Sequence, residues 1–482
     1  MKNILLAASE CFPFIKTGGL ADVVGALPKY IDKENFDCRV VLPKYSCMKD
    51  NFKAMLKPVT NFFINYNGAT KYVGVEECEL NGIHYYFIDN EEYFSGAKPY
   101  GENRWDIEKF IYFDKAVLAA MPAIGFKPDI LHCHDWQAGL IPVFLKSEYA
   151  THEFYMNTKS VMTIHNLKFQ GVEGRPFIQH LSGLGDYYFT YDKLAMFNDG
   201  NMLKGGLVYA DAITTVSSTY SDEIKTSQYG EKLEGLLAAR SSDLRGIVNG
   251  IDYAEFDPES DKGIDYHYNS ETFKEAKQKN KVALQERLGL PVNKDVMMVG
   301  IVSRMTDQKG FDLINHVMEE IVSQDNIQVV LLGTGDPDYE NAFKYFANKY
   351  PTKVSANIFY SDELSRKIYA ASDAFLMPSL FEPCGLSQLM AMHYGTLPIV
   401  RETGGLKDTV EPYNMYEGTG TGFSFANYNA HEMMNTIRYA EHVYYDYPSN
   451  WDAMVKRAME VDFSWNVSAK KYEEMYNWMC GE

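Results

Sequence analysis

Residues 296–310 read VMMVGIVSRMTDQKG, an apolar run that ends in a polar turn with a glycine. A short continuous apolar run predicts a β-strand that is buried on both faces, as the strands of parallel sheets are. Apolar runs that end in polar turns recur along most of the chain, with segments of helical periodicity between them. This alternation predicts doubly wound α/β domains. The other predicted strands are ILLAAS from Ile4, CRVVLP from Cys38, YYFID from Tyr85, DILHCH from Asp129, VMTIH from Val161, AITTVS from Ala212, IQVVLLG from Ile327, ANIFY from Ala356, DAFLMPS from Asp373 and TLPIV from Thr396.

Residues 250–295 interrupt this alternation, because they are polar, poor in valine and isoleucine, and contain no predicted strand. The 482 residues have room for about three units of roughly 100–200 residues. We therefore expect a first domain over residues 1–248, a second over 249–460 that includes the interruption, and a terminal crossover helix over 461–482. The two domains are expected to face each other. A long surface insertion in one large sheet is the alternative.

The composition is that of a globular enzyme with a strong acidic excess. Lys and Arg number 46 and Asp and Glu number 65, which gives a net charge of −19. This balance argues against a nucleic-acid or membrane-surface binder, because both polyanions would be repelled. Local Lys and Arg in a cleft would still hold a small anionic ligand. Aromatic residues make up 14% of the chain, which suits a carbohydrate ligand as well as an ordinary core.

The cysteines and the N-terminus indicate the compartment. The seven cysteines form no CxxC pair, so a reducing environment is expected rather than a disulfide framework. No apolar run approaches the roughly 18 residues of a membrane helix. The N-terminal apolar stretch is about five residues, against the roughly 7–15 of a signal peptide. We interpret it as the first strand and expect a cytoplasmic protein.

The first candidate site follows the first predicted strand. Gly18 and Gly19 stand where a loop meets a helix, so backbone N–H groups can approach an anion there. Lys16 adds a full positive charge. The pattern is neither GxGxxG nor a P-loop, which argues against NAD and Walker-type ATP binding. A phosphate site and a plain tight turn remain alternatives of equal weight.

Two further strand ends in the first half carry polar side chains. Asp135 and Trp136 offer a carboxylate for sugar hydroxyls and an aromatic face for stacking. His165 and Asn166 end the next predicted strand. A single histidine is more often structural than catalytic, so these positions are candidates that need support from other residues.

The second half carries two cations at a strand-to-helix junction. Arg304 closes its strand and Lys309 stands near the start of the next helix, an arrangement that suits the clamping of two phosphates. A solvated surface is the alternative. The last predicted strand leads to Thr403, Gly404 and Gly405, a second glycine pair at a helix N-terminus.

A carboxylate, Glu382, follows another strand of the second half and precedes Cys384 and Gly385 in a loop. A nucleophilic cysteine would need a partner histidine, and none follows at a known spacing. We therefore interpret Cys384 as a packing residue.

Two patterns raise a metal hypothesis that the sequence does not sustain. His132 and His134 share one face of a strand, but no third ligand lies at a recognisable spacing. Asp336 and Asp338 form a DxD pattern, yet they precede a helical segment, where capping of the helix explains them. We predict that no metal is bound.

Together these motifs resemble the bacterial glycogen synthase and plant starch synthase family, whose members transfer glucose from a sugar nucleotide to an α-1,4-glucan. The resemblance implies the GT-B fold, with two facing Rossmann-like domains, a deep inter-domain cleft and a C-terminal helix that crosses back onto the first domain. Eight motifs occur in order along almost the whole chain: KTGGLADV from Lys16, HCHDW from His132, TIHN from Thr163, VNGID from Val248, SRMTDQKG from Ser303, GTGDPDYE from Gly333, PSLFEPCGLSQL from Pro378 and ETGGLKDTV from Glu402.

The resemblance also implies roles for individual residues and for the ligands. ADP-glucose is the implied donor and an α-1,4-glucan the implied acceptor, with no metal, nucleic acid or membrane partner. Tyr360 is the implied stacking partner of the nucleobase. The implied catalytic residues are Glu382, His165, Asp135, Arg304 and Lys309. The implied donor-binding residues are Lys16, Gly18, Gly19, Asn166, Asn249, Arg304, Lys309, Tyr360, Cys384, Gly385, Thr403, Gly404 and Gly405. The implied acceptor or closure contacts are Asp22, Tyr100 and Trp136.

Two positions depart from the family pattern. The family commonly has arginine at the position of Leu380, and the wider superfamily has a second glutamate at the position of Met390. Another GT-B glycosyltransferase with a non-glucan product and a catalytically silent glucan-binding scaffold remain the alternative functions.

Overall fold

The computed structural model describes residues 1–481 and divides them into two compact units. Unit 1 comprises residues 1–216, 221–247 and 465 onward, and unit 2 comprises residues 217–220 and 248–464. Residue 482, the last of the predicted crossover helix, lies outside the described residues.

Unit 1 contains a nine-stranded sheet with the order β12-β11-β7-β6-β1-β2-β5-β4-β3. The strands from β12 to β5 in this order run parallel. The order reverses between β1 and β6, and such switch points bind ligands at the carboxyl ends of the strands. Its strands are β1 (Lys2–Ala7), β2 (Phe36–Pro43), β3 (Lys57–Tyr66), β4 (Ala69–Leu80), β5 (Ile83–Asp89), β6 (Ile130–His134), β7 (Lys159–Ile164), β11 (Ala212–Thr215) and β12 (Leu244–Gly246), and a separate three-stranded sheet consists of β8 (Val172–Gly174), β9 (Ala195–Met196) and β10 (Asp199–Asn201).

The helices of unit 1 follow its strands in the chain. The helix α8 begins in the residues that group with unit 2. The helices are α1 (Gly19–Tyr30), α2 (Asp50–Lys53), α3 (Glu91–Phe94), α4 (Asn103–Ile124), α5 (Ile141–Leu145), α6 (Arg175–Ser182), α7 (Met202–Tyr209), α8 (Ser218–Glu223), α9 (Glu234–Ala239) and α18 (Trp465–Met479).

The expectation of purely parallel sheets is wrong at one edge of unit 1. The strands β3, β4 and β5 pair antiparallel, and the residues of β3 alternate between exposed and partly buried. Asn67-Gly68 and Asn81-Gly82 form the two tight connections, and all four residues have positive φ. Asn-Gly between strands is the strongest short-range hairpin signal, because both residues tolerate the left-handed conformation. The half-exposed strands β3 and β4 contain no continuous apolar run, so the sequence did not predict them.

Unit 2 is a second doubly wound unit with a six-stranded, entirely parallel sheet. The strand order is β15-β14-β13-β16-β17-β18, so its switch point lies between β13 and β16. Its strands are β13 (Met297–Val302), β14 (Ile327–Leu332), β15 (Val354–Asn357), β16 (Ala374–Met377), β17 (Leu397–Arg401) and β18 (Phe423–Phe425). Its helices are α10 (Phe273–Leu288), α11 (Phe311–Gln324), α12 (Pro337–Lys349), α13 (Asp362–Ala371), α14 (Ser387–His393), α15 (Gly404–Thr409), α16 (Ala430–Asp446) and α17 (Pro448–Glu460).

The polar interruption at residues 250–295 is largely structured. It contains α10, in which Lys277 and Lys281 are buried although the segment is rich in charge. The Lys277 ammonium donates to the carbonyls of Ala370 and Tyr394, both at 3.0 Å, near the C-terminal ends of α13 and α14. A cation at a helix C-terminus satisfies carbonyls that lack an intrahelical donor. This explains how a hydrophilic segment joins the core of unit 2.

Two short stretches group differently from the predicted domain ranges. Residues 217–220 and 461–464 both belong to unit 2. Residues 217–220 group with unit 2, since Ser217 Oγ donates to the Pro383 carbonyl at 2.5 Å and Thr219 Oγ1 donates to Asp408 at 2.5 Å. The terminal helix α18 begins at Trp465, four residues after the predicted start, and groups with unit 1.

The helix α18 is bound to the sheet of unit 1 by a buried hydrogen bond. Tyr476 and His132 are both completely buried, and the Tyr476 hydroxyl lies 2.6 Å from His132 Nδ1. The other ring nitrogen of His132 lies 2.6 Å from Thr163 Oγ1. Both nitrogens of this histidine are therefore used within unit 1. None of the helices in residues 1–481 combines the length and the apolar character required to cross a membrane.

The bond between Tyr476 and His132 predicts a measurable loss of stability in Tyr476→Phe. The substitution leaves His132 Nδ1 buried without its partner, which typically costs about 1–3 kcal/mol. Urea unfolding of wild type and variant measures the difference. Tyr187→Phe is the control, because Tyr187 is 67% exposed in the same unit. Equal stabilities of the two variants would contradict the importance of this bond.

Candidate active site

Glu10 lies three residues after the end of β1, near the switch point of unit 1. Glu10 is buried, and its carboxylate accepts from Thr17 Oγ1 at 2.6 Å and from the Tyr100 hydroxyl at 2.5 Å. It also accepts from the Thr17 N–H. Sequence reasoning missed Glu10, although an acidic residue directly after an apolar run was a usable signal. Glu10 fixes the loop that carries Lys16.

Lys16 and the two glycines lie at the N-terminus of α1, as predicted. The exposed Lys16 ammonium forms an ion pair with Asp22 at 2.7 Å. Gly18 is the N-cap of α1, and a Cβ atom built on it would meet no atom within 4 Å. Gly19, the first residue of α1, is exposed and follows Lys16 closely in the chain, and anions favour a helix N-terminus beside a cation.

Asp135 connects the ends of β6 and β7. Its backbone has the left-handed φ of 56°, and its Oδ1 accepts from the His165 N–H at 2.7 Å. Burial raises the pKa of Asp135 to about 7, although hydrogen bonds from the backbone N–H groups of His165 and Asn166 act in the opposite direction. The structure thus brings Asp135, His165 and Asn166 together at one end of the sheet.

Three histidines form a ladder behind this edge, in which His132 and His134 are buried and His165 is partly buried. The rings of His132 and His134 stack with centroids 4.3 Å apart, and His134 Nδ1 lies 2.9 Å from His165 Nε2. Burial lowers the pKa of His132 and of His165 to about 3 and that of His134 well below its usual range. The three rings are therefore neutral near pH 7. No group of three or more potential metal ligands was found within residues 1–481.

The two predicted aromatic contacts of unit 1 are both engaged within the protein. Trp136 is 8% exposed, its ring contacts Phe110 edge-on at 5.4 Å, and a Cβ atom on Gly171 would lie 2.4 Å from it. The Tyr100 hydroxyl lies 2.7 Å from Ser9 Oγ. In this structure Trp136 offers no open face for stacking. The predicted acceptor roles of Trp136 and Tyr100 stay predictions.

The switch point of unit 2 holds an ion pair between a partly buried lysine and a buried glutamate. Lys309 follows β13 and Glu382 follows β16, and Lys309 Nζ lies 2.6 Å from Glu382 Oε2. Ser379 Oγ donates to the same carboxylate oxygen at 3.0 Å. Glu382 is only 6% exposed. A carboxylate at this depth requires a cation or several donors, and here it has a cation and one hydroxyl donor.

The glycine pair after β17 packs against the main chain of Glu382. The Gly405 N–H donates to the Glu382 carbonyl at 3.1 Å. A Cβ atom on Gly404 would lie 1.9 Å from that carbonyl, and one on Gly405 would lie 2.0 Å from the Cys384 carbonyl. Gly404 also has a positive φ of 46°. Only glycine fits at these two positions, so the turn after Thr403 fixes the loop that carries Glu382.

Arg401 supports the same loop at the position where the family pattern is broken. Its guanidinium donates to the Leu380 carbonyl at 2.7 Å, and Arg401 is only 8% exposed. The ring of Tyr428 lies 5.7 Å from the guanidinium carbon. A buried arginine therefore stands against the main chain of residue 380, although the side chain there is leucine.

The remaining predicted residues of unit 2 fall into two groups. Arg304 and Tyr360 are exposed, Tyr360 by 84%, and the structure does not bring their side chains to the ion pair. Cys384 is buried, which raises the pKa of its thiol to about 12 despite a hydrogen bond from the Asn249 N–H. This thiol does not act as a nucleophile near pH 7. Gly385 has a positive φ of 73°.

The predicted capping role of the DxD pattern is confirmed. Asp336 is the N-cap of α12, and its side chain accepts from the Asp338 N–H at 2.9 Å. All seven cysteines are free thiols.

A known family model matches most of each unit. Residues 3–239 match the starch synthase catalytic domain, and residues 285–456 match the group 1 glycosyl transferases. The chain is 60% identical to a glycogen synthase of Lachnospira eligens over 99% of this chain and 100% of that protein. It is 50% identical to a glycogen synthase of Clostridium acetobutylicum over 98% of this chain and 99% of that protein.

The chain belongs to the glycogen synthase and starch synthase family. The catalytic domain of starch synthase IV from Arabidopsis thaliana, bound to ADP and acarbose, superposes with a TM-score of 0.91 at 31% identity, over 100% of this chain and 99% of that one. Sucrose-phosphate synthase from Thermosynechococcus elongatus shares the fold with a TM-score of 0.62 at 17% identity, over 100% and 99% of the two chains. The predicted GT-B fold class and the predicted glycosyltransferase activity of the glycogen and starch synthase type are confirmed.

The histidine ladder predicts a steep loss of stability in acid. The unfolded chain protonates a histidine near pH 6.5, whereas the folded pKa of His165 is about 3. Stability therefore falls as the pH drops from about 6.5 towards 3, by up to about 1.4 kcal/mol per pH unit for each such ring. Asp135 acts in the opposite sense, since its raised pKa adds stability that is lost as the pH rises from about 4 to 7.

The measurement is urea unfolding at several pH values between 7 and 4.5. His165→Gln should show a shallower fall of the unfolding free energy with acid than wild type, because glutamine does not titrate. His180→Gln is the control, since His180 is exposed in the same unit. Identical slopes for wild type and His165→Gln would contradict the neutral, buried state of this ring.

Proposed function

We propose that this protein transfers glucose from ADP-glucose to the non-reducing end of an α-1,4-glucan with retention of anomeric configuration. The ion pair between Lys309 and Glu382 at the switch point of unit 2 is the observation that carries this proposal. It places a cation and a carboxylate side by side where a doubly wound sheet binds ligands. The family and the ADP and acarbose bound to the related Arabidopsis domain support the donor and acceptor classes.

In this proposal, cations and helix N-termini bind the donor diphosphate. Arg304 is exposed, and within residues 1–481 its guanidinium has no ion-pair partner, so it is free to take a phosphate. Lys309 has three donor hydrogens, one of which serves Glu382, and it binds the phosphate with the others. Lys16, Gly18 and Gly19 of unit 1 and the turn at Thr403 to Gly405 of unit 2 add charge and backbone donors. Asn249, Cys384 and Gly385 are the other donor-binding residues of unit 2 that the family resemblance implies.

The base and the glucose are held by other residues. Tyr360, which is 84% exposed, stacks on the nucleobase, and stacking by itself does not distinguish adenine from uracil. Asn166 and His165 donate to the hydroxyl groups of glucose, and Asp135 holds their backbone turn. Because the neutral ring of His165 adds no charge, it orients the sugar without repelling a positive anomeric carbon.

The reaction exchanges one bond at the anomeric carbon for another. The bond from C1 to the diphosphate oxygen breaks, the acceptor 4-hydroxyl attacks from the same face, and its proton passes to the departing diphosphate. Arg304 and Lys309 stabilise the negative charge that leaves, and the Glu382 carboxylate stabilises the positive charge at C1. Lys309 and Glu382 are held in place by their ion pair before the substrate binds. We infer that no divalent metal is required, because protein cations do this work.

Transfer from labelled ADP-glucose to glycogen tests the proposal. We expect a higher kcat/KM with ADP-glucose than with UDP-glucose and unchanged activity in EDTA. Release of ADP without extension of glycogen would identify a different glycosyltransferase, and absence of donor consumption would identify a silent glucan-binding protein. Activity that is lost in EDTA and restored by Mg²⁺ would contradict metal independence.

We predict that substitutions of Lys309 and Glu382 have non-additive effects on kcat in a double-mutant cycle. Lys309→Ala should lower kcat by roughly 10²–10³ and raise the donor Kd, because it removes a phosphate ligand and leaves Glu382 buried without its cation. Glu382→Gln should lower kcat with little change in donor Kd, because the amide keeps the size and loses only the charge. The double variant should be less impaired than the product of the single effects, since contacting residues do not act additively.

Single-turnover rates and donor Kd values for the three variants measure this coupling. The matched control is Lys279→Ala with Glu275→Gln, an exposed ion pair of 2.7 Å on α10 that should leave both quantities unchanged. Near-normal turnover of Glu382→Gln would remove this residue from the mechanism.

A further inference from the structure

His134 and His165 are joined by a hydrogen bond between their rings. His134 Nδ1 lies 2.9 Å from His165 Nε2, and the ring centroids are 5.2 Å apart. The parallel register pairs His134 of β6 with Thr163 of β7, so His165, two residues beyond Thr163, lies on the same face of the sheet. Burial keeps both rings neutral near pH 7. Because a neutral imidazole carries one proton, one ring donates this hydrogen bond and the other accepts it.

The surroundings of His134 decide which of the two rings is the donor. His134 is completely buried, and its Nε2 has no hydrogen-bond partner in the part of the chain that the structure describes. If His165 donated, the proton of His134 would lie on this Nε2, and a buried N–H group would lack an acceptor. An orphaned buried N–H is rarer in proteins than an under-satisfied acceptor. His134 therefore carries its proton on Nδ1 and donates to His165 Nε2.

Two consecutive residues at the end of β6 hold His165 from two sides. Asp135 Oδ1 accepts from the backbone N–H of His165 at 2.7 Å, and His134 donates to its ring. Because Nε2 accepts, the proton of His165 lies on Nδ1. Within residues 1–481 this Nδ1 has no hydrogen-bond partner, and it is not sealed from solvent as His134 Nε2 is. The ring therefore presents an N–H group at the edge of the sheet that we assign to glucose.

We propose that His134 is a positioning residue that fixes the tautomer of His165, so that His165 Nδ1 meets the sugar as a hydrogen-bond donor. The inference rests on the proposed function, because that function supplies the glucose hydroxyl that accepts. A free neutral imidazole favours the tautomer with its proton on Nε2, in which Nδ1 would itself be an acceptor. His134 reverses this preference, and because it is completely buried it acts only through His165.

Nitrogen NMR of the protein with ¹⁵N-labelled histidine rings reads the tautomer without any substrate. The chain has 11 histidines, and the signal that disappears in His165→Gln identifies His165. In wild type we expect the proton of His165 on Nδ1. His134→Leu removes the donor at similar size, so His165 should shift to the form protonated on Nε2. His134→Asn should keep the wild-type form, because its amide Nδ2 lies close to the place of the imidazole Nδ1 and donates the same hydrogen bond.

Glucosyl transfer by the same variants measures the consequence for the reaction. The kcat/KM for ADP-glucose should fall by about 3–10-fold in His134→Leu, the worth of one neutral hydrogen bond, and should return close to the wild-type value in His134→Asn. Tyr476→Phe is the matched control. It removes the partner of the neighbouring His132 and leaves the contact between His134 and His165 intact, so it should lower stability without changing the tautomer or kcat/KM.

The spectra and the kinetics can each overturn the inference. A wild-type His165 that carries its proton on Nε2, or a tautomer that His134→Leu leaves unchanged, would overturn it. A shifted tautomer with an unchanged kcat/KM would also overturn it, because His134 would then not govern the contact with the sugar. If the wild-type protein transfers no glucose, the proposed function fails, and the spectra alone then support or overturn the control of His165 by His134.

Discussion

The ion pair between Lys309 and Glu382 constrains most of the architecture of unit 2. A buried carboxylate that lost its cation would lie unpaired in the interior, which is strongly destabilising. The two residues follow neighbouring parallel strands, β13 and β16, whose pairing brings the loops after them together. The glycine turn after β17 then covers the loop of Glu382 by backbone contact. Charge, strand register and glycine placement are thus parts of one constraint.

The switch point of unit 1 contains different chemical groups from that of unit 2. Its switch point contains neutral rings, a carboxyl group whose pKa burial raises to about 7, and the buried, hydrogen-bonded carboxylate of Glu10. The cation of the site in unit 1 is the exposed Lys16, which pairs with the partly buried Asp22. Charge is therefore placed where phosphate is expected, and neutral donors are placed where an uncharged sugar is expected. The negative net charge of the chain does not prevent binding of an anionic donor, because Lys16, Arg304 and Lys309 stand at the proposed site itself.

The sequence predicted the central strands because burial on both faces leaves a continuous apolar signature, as in β6 and β13. It did not predict β3 and β4, whose residues alternate towards solvent, although Asn67-Gly68 marks the turn between them. It treated α10 as an interruption, since the carbonyls that accept from Lys277 lie about a hundred residues further along the chain. Lys309 and Glu382 were both identified from strand ends, but their pairing was not, because 73 residues separate them. Local pattern predicts elements, whereas long-range partners emerge only from the folded topology.

The hydrogen bond between His132 and Tyr476 bears on the order in which the chain folds. Its partners are 344 residues apart, and at about 5–20 residues per second the ribosome needs roughly 20–70 s to make that interval. During this time unit 2 is synthesised whole, while the sheet of unit 1 lacks the helix that covers His132. Unit 1 begins first and is completed last. The nascent protein must therefore keep an open apolar face from associating with other chains until its final helix emerges.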